Sequence, residues 1–447
     1  MQESLKKNDE IETVIDRLGV NGEGIAVYNN KVIFVPYALP NEKVKIHIIN
    51  DKNSFLIAKL LNISQISSDR CDARCPHFQK CGGCDIQHLK YEGQLKLKKQ
   101  IVKDSILKYA KLDININDVI GSEKQFRYRN KFAFPVQFDG KEVQVGMYRK
   151  NSHKIVSIED CMLQSERAKE IVKLFKEYLI ENNISVYSEE TKKGIVKHIV
   201  VRENKNSFIL TVVVTSDNFN NFEPLIKKLK TKFDNFGIVK NVNKLNNNVI
   251  FGNLDINIYG NNELEFNEFG IKYFVNNRSF LQVNDEIKYK IYEKIIELVG
   301  NSEEVIDAYS GAGLLSSILA KNCGNVTGIE IIKEATENAN KLKRLNNLDN
   351  LTNINGDCSK KIPELVKNNK KRFTVVVDPP RKGISKEVID ALIESKPDKI
   401  IYLSCNPATL ARDLNLLKND YNIEMVQPYD MFPQTANIET LVYLLSK

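Results

Sequence analysis

VIDAYSGAGLLSSILA, Val305 to Ala320, reads as a strand, a glycine turn and a helix. The apolar run is of strand length, and Gly311 and Gly313 let the backbone approach a ligand closely at the start of the helix. A dinucleotide fingerprint would carry a third glycine where Ser316 stands, so a nicotinamide or flavin cofactor is disfavoured. From about residue 271 onward strands and helices alternate, which implies a parallel sheet. The second strand, NVTGIE, ends in Glu330, nineteen residues after Gly311, a distance that suits hydrogen bonds from ribose hydroxyls. INGDC presents Asp357 after the next strand, and FTVVVDPPRKG puts Asp378 at the end of a β-rich run. A lone glycine turn would be weak. Four such loops in this order imply a domain that binds S-adenosylmethionine (SAM). Purely structural turns would leave the acidic residues at successive strand ends unexplained.

The next strand end carries a thiol. In IIYLSCNPATLARDL, Ile400 to Leu414, a short buried run stops at Ser404, and Asn406 and Pro407 force a turn before a helix begins. Cys405 is thereby offered to the cleft where α/β sheets place ligands. Free cysteine is also among the most buried residue types, so this stretch alone leaves a core role equally open. The chemistry of SAM favours the first role. The C5 carbon of uracil is too weak a nucleophile to attack a sulfonium methyl group directly. Thiolate addition at C6 makes an enolate whose C5 can attack. C5 then carries both a methyl group and a hydrogen, and a base must remove that proton before the thiol can leave. One cysteine and one carboxylate are therefore needed at the same base. Cys405 and Glu439, the latter in PQTANIET at 433–440, supply them.

The chain has 447 residues, too many for one ordinary core, so two or three domains are expected. At 42% hydrophobic residues it can bury those cores, and a formal charge of +8 permits a polyanionic partner without proving one. Basic clusters lie at Lys96–Lys99, Lys227–Lys232 and Arg127–Lys131. Each alone reads first as a solvated face, but the third, interleaved with Phe126, Tyr128 and Phe132, suits nucleic acid best. The N-terminus lacks a signal-peptide core and no apolar run could span a membrane, so a cytoplasmic protein is expected. There, eight cysteines invite metal or catalytic readings before disulfides.

Residues 9–62 hold short β-like runs broken by Gly19, Gly22, Gly24, Pro36 and Pro40, the pattern of a small antiparallel barrel. DRCDARCPHFQKCGGCDIQHL follows at 69–89. Cys75, Cys81 and Cys84 stand as C-x5-C-x2-C with Cys71 just upstream, and such crowded thiolates call for a metal. Cys71, Cys75, Cys81 and Cys84 could form a zinc site. Alternatively, three of them plus a remote cysteine could hold a [4Fe–4S] cluster. A basic helix is expected over Tyr91–Tyr109, with Leu95, Ile101, Val102 and Leu107 as its apolar stripe. Residues 125–280 alternate strands with one clear helix near 164–182. Asp139-Gly140 marks one hairpin, and GIVKHIVVRE with SFILTVVVT forms another.

Taken together, CPHFQKCGGCDIQHL, RYRNK, SFLQVN, DAYSGAGLLS, GIE, DPPRKG, SCNP and FPQT..IET closely resemble the RNA uracil-C5 (5-methyluridine) methyltransferase family, in its 23S rRNA branch. The resemblance spans nearly the whole chain. It implies a multidomain protein: a TRAM-like, OB-like RNA-binding β-barrel over 1–65, a central α+β iron–sulfur and RNA-binding domain over 66–270, and a Rossmann-like class I SAM methyltransferase domain over 271–447. It implies Cys405 as nucleophile and Glu439 as base, with SAM held by Gln282, Tyr309, Gly311, Gly313, Glu330 and Asp378 and with Asp357 near the adenine. It also implies Cys75, Cys81, Cys84 and Cys161 as ligands of a [4Fe–4S] cluster, with Cys71 spare. Where the family usually has His before the final carboxylate, this chain has Asn437. The expected partner is RNA, rRNA first, at a loop or bulge uridine, met by a monomer. Rival readings are a tRNA uridine-C5 methyltransferase, a cytosine-C5 enzyme, a small-molecule or protein methyltransferase, and a non-catalytic RNA-binding protein.

Overall fold

A computed structural model describes residues 5–367 and 372–447. The chain opens with six strands: β1 (Glu10–Val14), β2 (Arg17–Leu18), β3 (Gly24–Tyr28), β4 (Lys31–Val35), β5 (Lys43–Asp51) and β6 (Phe55–Gln65). Helix α1 (Tyr91–Ser105) runs into a π-helical turn, Ile106–Ala110. Strands β7 (Lys131–Phe138), β8 (Val143–Tyr148) and β9 (Ile155–Ser157) lead to α2 (Glu166–Glu181). Next come β10 (Val196–Glu203), β11 (Phe208–Val214), α3 (Glu223–Lys230), β12 (Phe236–Val242) and β13 (Leu254–Tyr259). A hairpin, β14 (Glu263–Glu268) and β15 (Ile271–Asn276), precedes α4 (Asp285–Val299). Strict alternation follows: β16 (Glu304–Ala308), α5 (Leu314–Ala320), β17 (Asn325–Glu330), α6 (Lys333–Leu345), β18 (Leu351–Asn355), α7 (Cys358–Lys367) and β19 (Phe373–Val377). The chain ends with α8 (Lys386–Ser395), β20 (Lys399–Ser404), α9 (Pro407–Leu417), β21 (Tyr421–Tyr429) and β22 (Glu439–Ser446).

Contacts divide the chain into two compact units, one of residues 1–79, 83–125 and 378–447, the other of 80–82 and 126–377. In the first unit, the opening strands make a six-stranded sheet in the order β1-β5-β6-β4-β3-β2. Its core follows from period-two alternation: in β5, Val44, Ile46 and Ile48 point inward while Lys43 and Lys45 face solvent. The same unit holds the antiparallel strands β20-β22-β21.

In the second unit, a seven-stranded sheet runs β13-β12-β11-β10-β7-β8-β9. Helices α2 and α3 cover one face, packing Phe175, Tyr178, Leu225 and Leu229 against Phe132, Phe134, Ile199, Val201 and Leu210. Ser165 starts α2 because its side chain accepts the Ala168 N–H at 3.2 Å. The unit also contains the parallel ladder expected of the alternating region, in the order β18-β17-β16-β19.

Both hairpins predicted in the central region form, β7–β8 and β10–β11. Three local expectations change. Leu107 is 50% exposed, because the π turn re-aims the stripe of α1; Leu97 and Ile106 are buried instead. A second central helix, α3, carries Lys227, Lys228 and Lys230 of the Lys227–Lys232 cluster, and Lys228 pairs with Glu177 and Glu181 of α2. The basic stretch at 127–131 is largely structural. Arg127, at φ +57°, grips Asp160 with two hydrogen bonds of 2.6 and 2.8 Å, and Tyr128 and Phe132 are buried. Among the described residues no helix is long and apolar enough to cross a membrane.

Candidate active site

Cys405 directly follows β20, and the turn around it is tightly fixed. Asn406 caps α9, its side chain accepting the Ala408 N–H at 3.1 Å and donating to the Arg381 carbonyl at 3.1 Å. Thr409 Oγ1 donates to the same carbonyl at 3.2 Å, and Arg412 donates to the Lys382 and Ile384 carbonyls. Buried Asp413 accepts the Ile384 N–H at 2.9 Å and the Tyr402 hydroxyl at 2.7 Å. The DPPRKG loop is thus fastened to α9. Gly383 is obligatory in it: φ is +77°, and a Cβ would lie 2.6 Å from Asp413 Oδ2.

Glu439 opens β22. The β20–β22 ladder ends at the pair Ser404–Thr440, so one further step brings positions 405 and 439 opposite each other. Glu439 is only 4% exposed. Burial first, then neighbouring Asp378, push its carboxyl well above the ordinary value, while Arg381 pulls it back. The Cys405 thiol is pushed up to about 11 by burial and by Glu439, again opposed by Arg381 and reinforced by Asp378. Thiol, two carboxylates and one guanidinium therefore share one electrostatic neighbourhood, with Arg381 as its cation. Asn437 is exposed and spends its amide on Thr435 Oγ1, at 3.3 Å.

The loop before Glu439 is held from α1, a support that sequence reasoning missed. Lys98, fully buried, pairs with fully buried Asp430 and donates to the Phe432 carbonyl at 3.1 Å. Tyr91 donates to Asp430 at 2.9 Å. Gln94 and Gln434 exchange two hydrogen bonds, each 3.0 Å. These partners lie more than 300 residues apart, and no local pattern announces them.

In the second unit, Tyr309, Gly311 and Gly313 all take positive φ between β16 and α5. At Gly313 a Cβ would meet Ala339 Cβ at 2.7 Å, whereas at Gly311 it would meet nothing within 4 Å. The turn is thus closed on its inner side and open above Gly311. Glu330, at the end of β17, accepts the Gly311 N–H at 3.0 Å and the Ile332 N–H at 2.8 Å, one on each carboxylate oxygen. Each oxygen keeps a second lone pair for a hydroxyl. Ser316, at the site of the missing glycine, donates to buried Asp307 at the end of β16. Burial lifts that carboxyl to about 7, a perturbed group that sequence reasoning did not single out.

Asp357 is exposed and caps α7 through Ser359, whose N–H and hydroxyl donate at 2.9 and 2.8 Å and hold its carboxyl below the ordinary value. Cys358 senses Tyr309, Asp357, Glu330 and Asp307, which places these groups together at the ends of β16, β17 and β18. Gln282 is fixed by Asn130, whose amide donates to the Gln282 carbonyl at 2.9 Å and to Asp285 at 3.0 Å.

Cys75, Cys81, Cys84 and Cys161 form no disulfide, and all are partly exposed. Their donor chemistry suits a metal. Among the described residues no three His, Cys, Asp or Glu side chains gather as a metal site.

Comparison with known proteins bears on the family and the fold. The TRAM domain family matches residues 5–61. An uncharacterized RNA methyltransferase of Clostridium acetobutylicum is 38% identical over 98% of each chain. Another, from Listeria innocua, is 36% identical over 99% of each. The crystal structure of Pyrococcus abyssi tRNA (uracil-54, C5)-methyltransferase in complex with S-adenosyl-L-homocysteine superposes with a TM-score of 0.79. It is 27% identical, covering 97% of this chain and 100% of that one. The tRNA (uracil-5-)-methyltransferase family matches residues 90–447, four-fifths of the sequence, and the chain belongs to that family.

Proposed function

We propose that the protein methylates C5 of a uridine in RNA, with SAM as methyl donor. The carrying observation is that the β20–β22 register sets Cys405 opposite Glu439, beside Arg381 and Asp378. Gln282, Tyr309, Gly311, Gly313, Glu330, Asp357 and Asp378 are the residues assigned to the donor. The open space above Gly311 and the spare lone pairs of Glu330 fit its ribose and backbone-hugging methionine portion. Bound there, SAM supplies an electrophilic methyl group.

Cys405 reaches C6 as thiolate. Because burial and Glu439 hold the thiol protonated, its ionisation depends on Arg381, the group that favours the anion. The sulfur–carbon bond moves the C5–C6 π electrons toward O4, and C5 takes the methyl group. Glu439 then accepts the C5 proton, the C5–C6 double bond re-forms and the thiolate leaves. The burial that raises Glu439 also makes its carboxylate a stronger base once ionised.

rRNA is the substrate class we favour, on the resemblance that links the TRAM-like barrel to the cysteine motif. A tRNA substrate is the second reading, favoured by the likeness to the Pyrococcus abyssi enzyme. Nucleoside analysis of rRNA and tRNA fractions from a strain lacking the protein decides between them: 5-methyluridine should fall in rRNA alone. Loss from tRNA alone would establish the second reading, and 5-methylcytidine loss would exclude both. The reading retains three functional segments, 1–65, 66–270 and 271–447. It also retains a [4Fe–4S] cluster on Cys75, Cys81, Cys84 and Cys161, supported by the spacing of these cysteines and by the family resemblance. No chemical step runs through it.

A further inference from the structure

The face of the central sheet opposite α2 and α3 carries a cavity that the chemistry above does not use. Alternation along β7 sends Phe132, Phe134 and Val136 toward the helices and leaves Ala133 and Pro135 on the other face. His198 pairs with Pro135 across β10, just after a β-bulge that re-aims the strand. These small or flat side chains floor a cavity of about 640 Å³. A second hollow, walled by Tyr187, Lys192 and Lys197, adjoins it, with Tyr148, Glu189 and His198 lining both. Such a volume fits an organic ligand of nucleotide size, not a bare ion.

The walls differ in charge. Glu189 accepts from the Tyr148 hydroxyl at 3.4 Å and pairs with His153 Nδ1 at 3.0 Å, so one wall presents a carboxylate. Tyr148 stands half-exposed with its ring 5.8 Å from that of His153, which offers a flat apolar surface. Arg149 and Lys150 extend from the same strand end into solvent. His198 Nδ1 is buried without a hydrogen-bond partner. A free phosphate or a carboxylate would be repelled from Glu189. A plain apolar ligand would leave Glu189 and His198 unsatisfied. A molecule with a flat, hydrogen-bonding ring at one end and an anion at the other satisfies both walls.

We propose that this cavity takes one unstacked nucleotide of the RNA substrate, its base on Tyr148 and its phosphate toward Arg149 and Lys150. The proposal rests on the RNA-methylation reading for its partner, and specifies a second point of contact on the central sheet. Base stacking on an exposed aromatic ring is how proteins hold single-stranded RNA, and duplex RNA cannot offer it. The cavity also borders the cysteine motif: Gly82 donates its N–H to the Tyr148 carbonyl at 3.0 Å. The CGG segment thereby fixes the end of the strand that carries the stacking ring.

The test measures fluorescence anisotropy of a labelled single-stranded RNA and of its duplex with the full-length protein. Tyr148→Ala should weaken single-strand binding about tenfold, the order of one lost base–aromatic stack. It should change duplex binding far less. Tyr148→Phe, which keeps the ring and loses the hydroxyl bond to Glu189, should bind as the wild type does. A merely structural Tyr148 predicts the reverse, with Phe and Ala both impaired and both strands affected alike. Arg149→Ala with Lys150→Ala should flatten the salt dependence, whereas Lys227→Ala at an exposed position of α3 should alter nothing. Unchanged single-strand affinity in Tyr148→Ala, in a wild-type protein that forms 5-methyluridine, overturns the cavity assignment alone. Weakened binding in a wild-type background that forms no 5-methyluridine upholds the cavity and overturns the methylation reading.

Discussion

Cys405 and Glu439 occupy matching ends of paired strands, and the roles proposed for them can be separated by single substitutions. Without the thiol, C5 is never activated, so Cys405→Ala should abolish methylation while SAM still binds. Glu439→Gln acts later. Addition and methyl transfer proceed, the C5 proton stays, and a methylated protein–RNA adduct should accumulate that survives denaturing electrophoresis. Cys405→Ala combined with Glu439→Gln should form none. Normal turnover by Glu439→Gln would end the assignment of Glu439 as base. The raised carboxyl and thiol also set a pH response. In the free enzyme kcat/KM should climb through neutral pH as Cys405, near 11, and Glu439 begin to ionise. A flat profile there would contradict it. Stability runs the other way. Glu439 binds its proton more tightly folded than unfolded, so its contribution is complete below the ordinary value of 4.5 and lost as pH rises toward its folded value. Urea melts should therefore show Glu439→Gln gaining on the wild type between about pH 5 and about pH 8. Equal differences at both would contradict the burial argument.

Helix α1 shows how one element serves a distant one. Its Lys96–Lys99 cluster looks like a basic face, yet Lys98 is wholly buried against Asp430 and the Phe432 carbonyl. Removing one partner of such a pair leaves a buried charge uncompensated, at about 3–5 kcal/mol. Lys98→Met should lower unfolding free energy by that order in urea titrations. Adding Asp430→Leu, which removes the stranded charge, should restore a large part of it. Strictly additive losses would mean the pair is not coupled. Helix α9 works at shorter range. Its cap Asn406, with Thr409 and Arg412, holds the carbonyls of the DPPRKG loop and so places Arg381 near Cys405.

At the scale of the molecule, the cysteine motif contributes to none of the chemical steps proposed above. Protein purified without oxygen should be brown and contain iron and sulfide in similar amounts. Stoichiometric zinc with no iron would overturn the cluster. Its loss should weaken folding more than turnover, because Gly82, within the motif, fastens the strand end at Tyr148 in the central sheet. Thermal melts and single-turnover rates of protein with and without iron compare the two effects directly.

Local physics was legible in the sequence. The glycine turn at Gly311 and Gly313, a strand-length apolar run before Cys405 and the Asp139-Gly140 turn each depend on a few neighbouring residues, and each appears as read. What the tertiary structure decided was which polar groups lose water. Arg127 and Lys98 carry the same signal as any surface cation, but folding delivers Asp160 to one and Asp430 to the other, and both become structural. Ser316 looked like a defect in a glycine motif until Asp307 came to lie against its hydroxyl. The elevation of Cys405 and Glu439 has the same origin. A residue's type sets the proton it can exchange, but burial and the charges brought beside it from remote segments set when it does so.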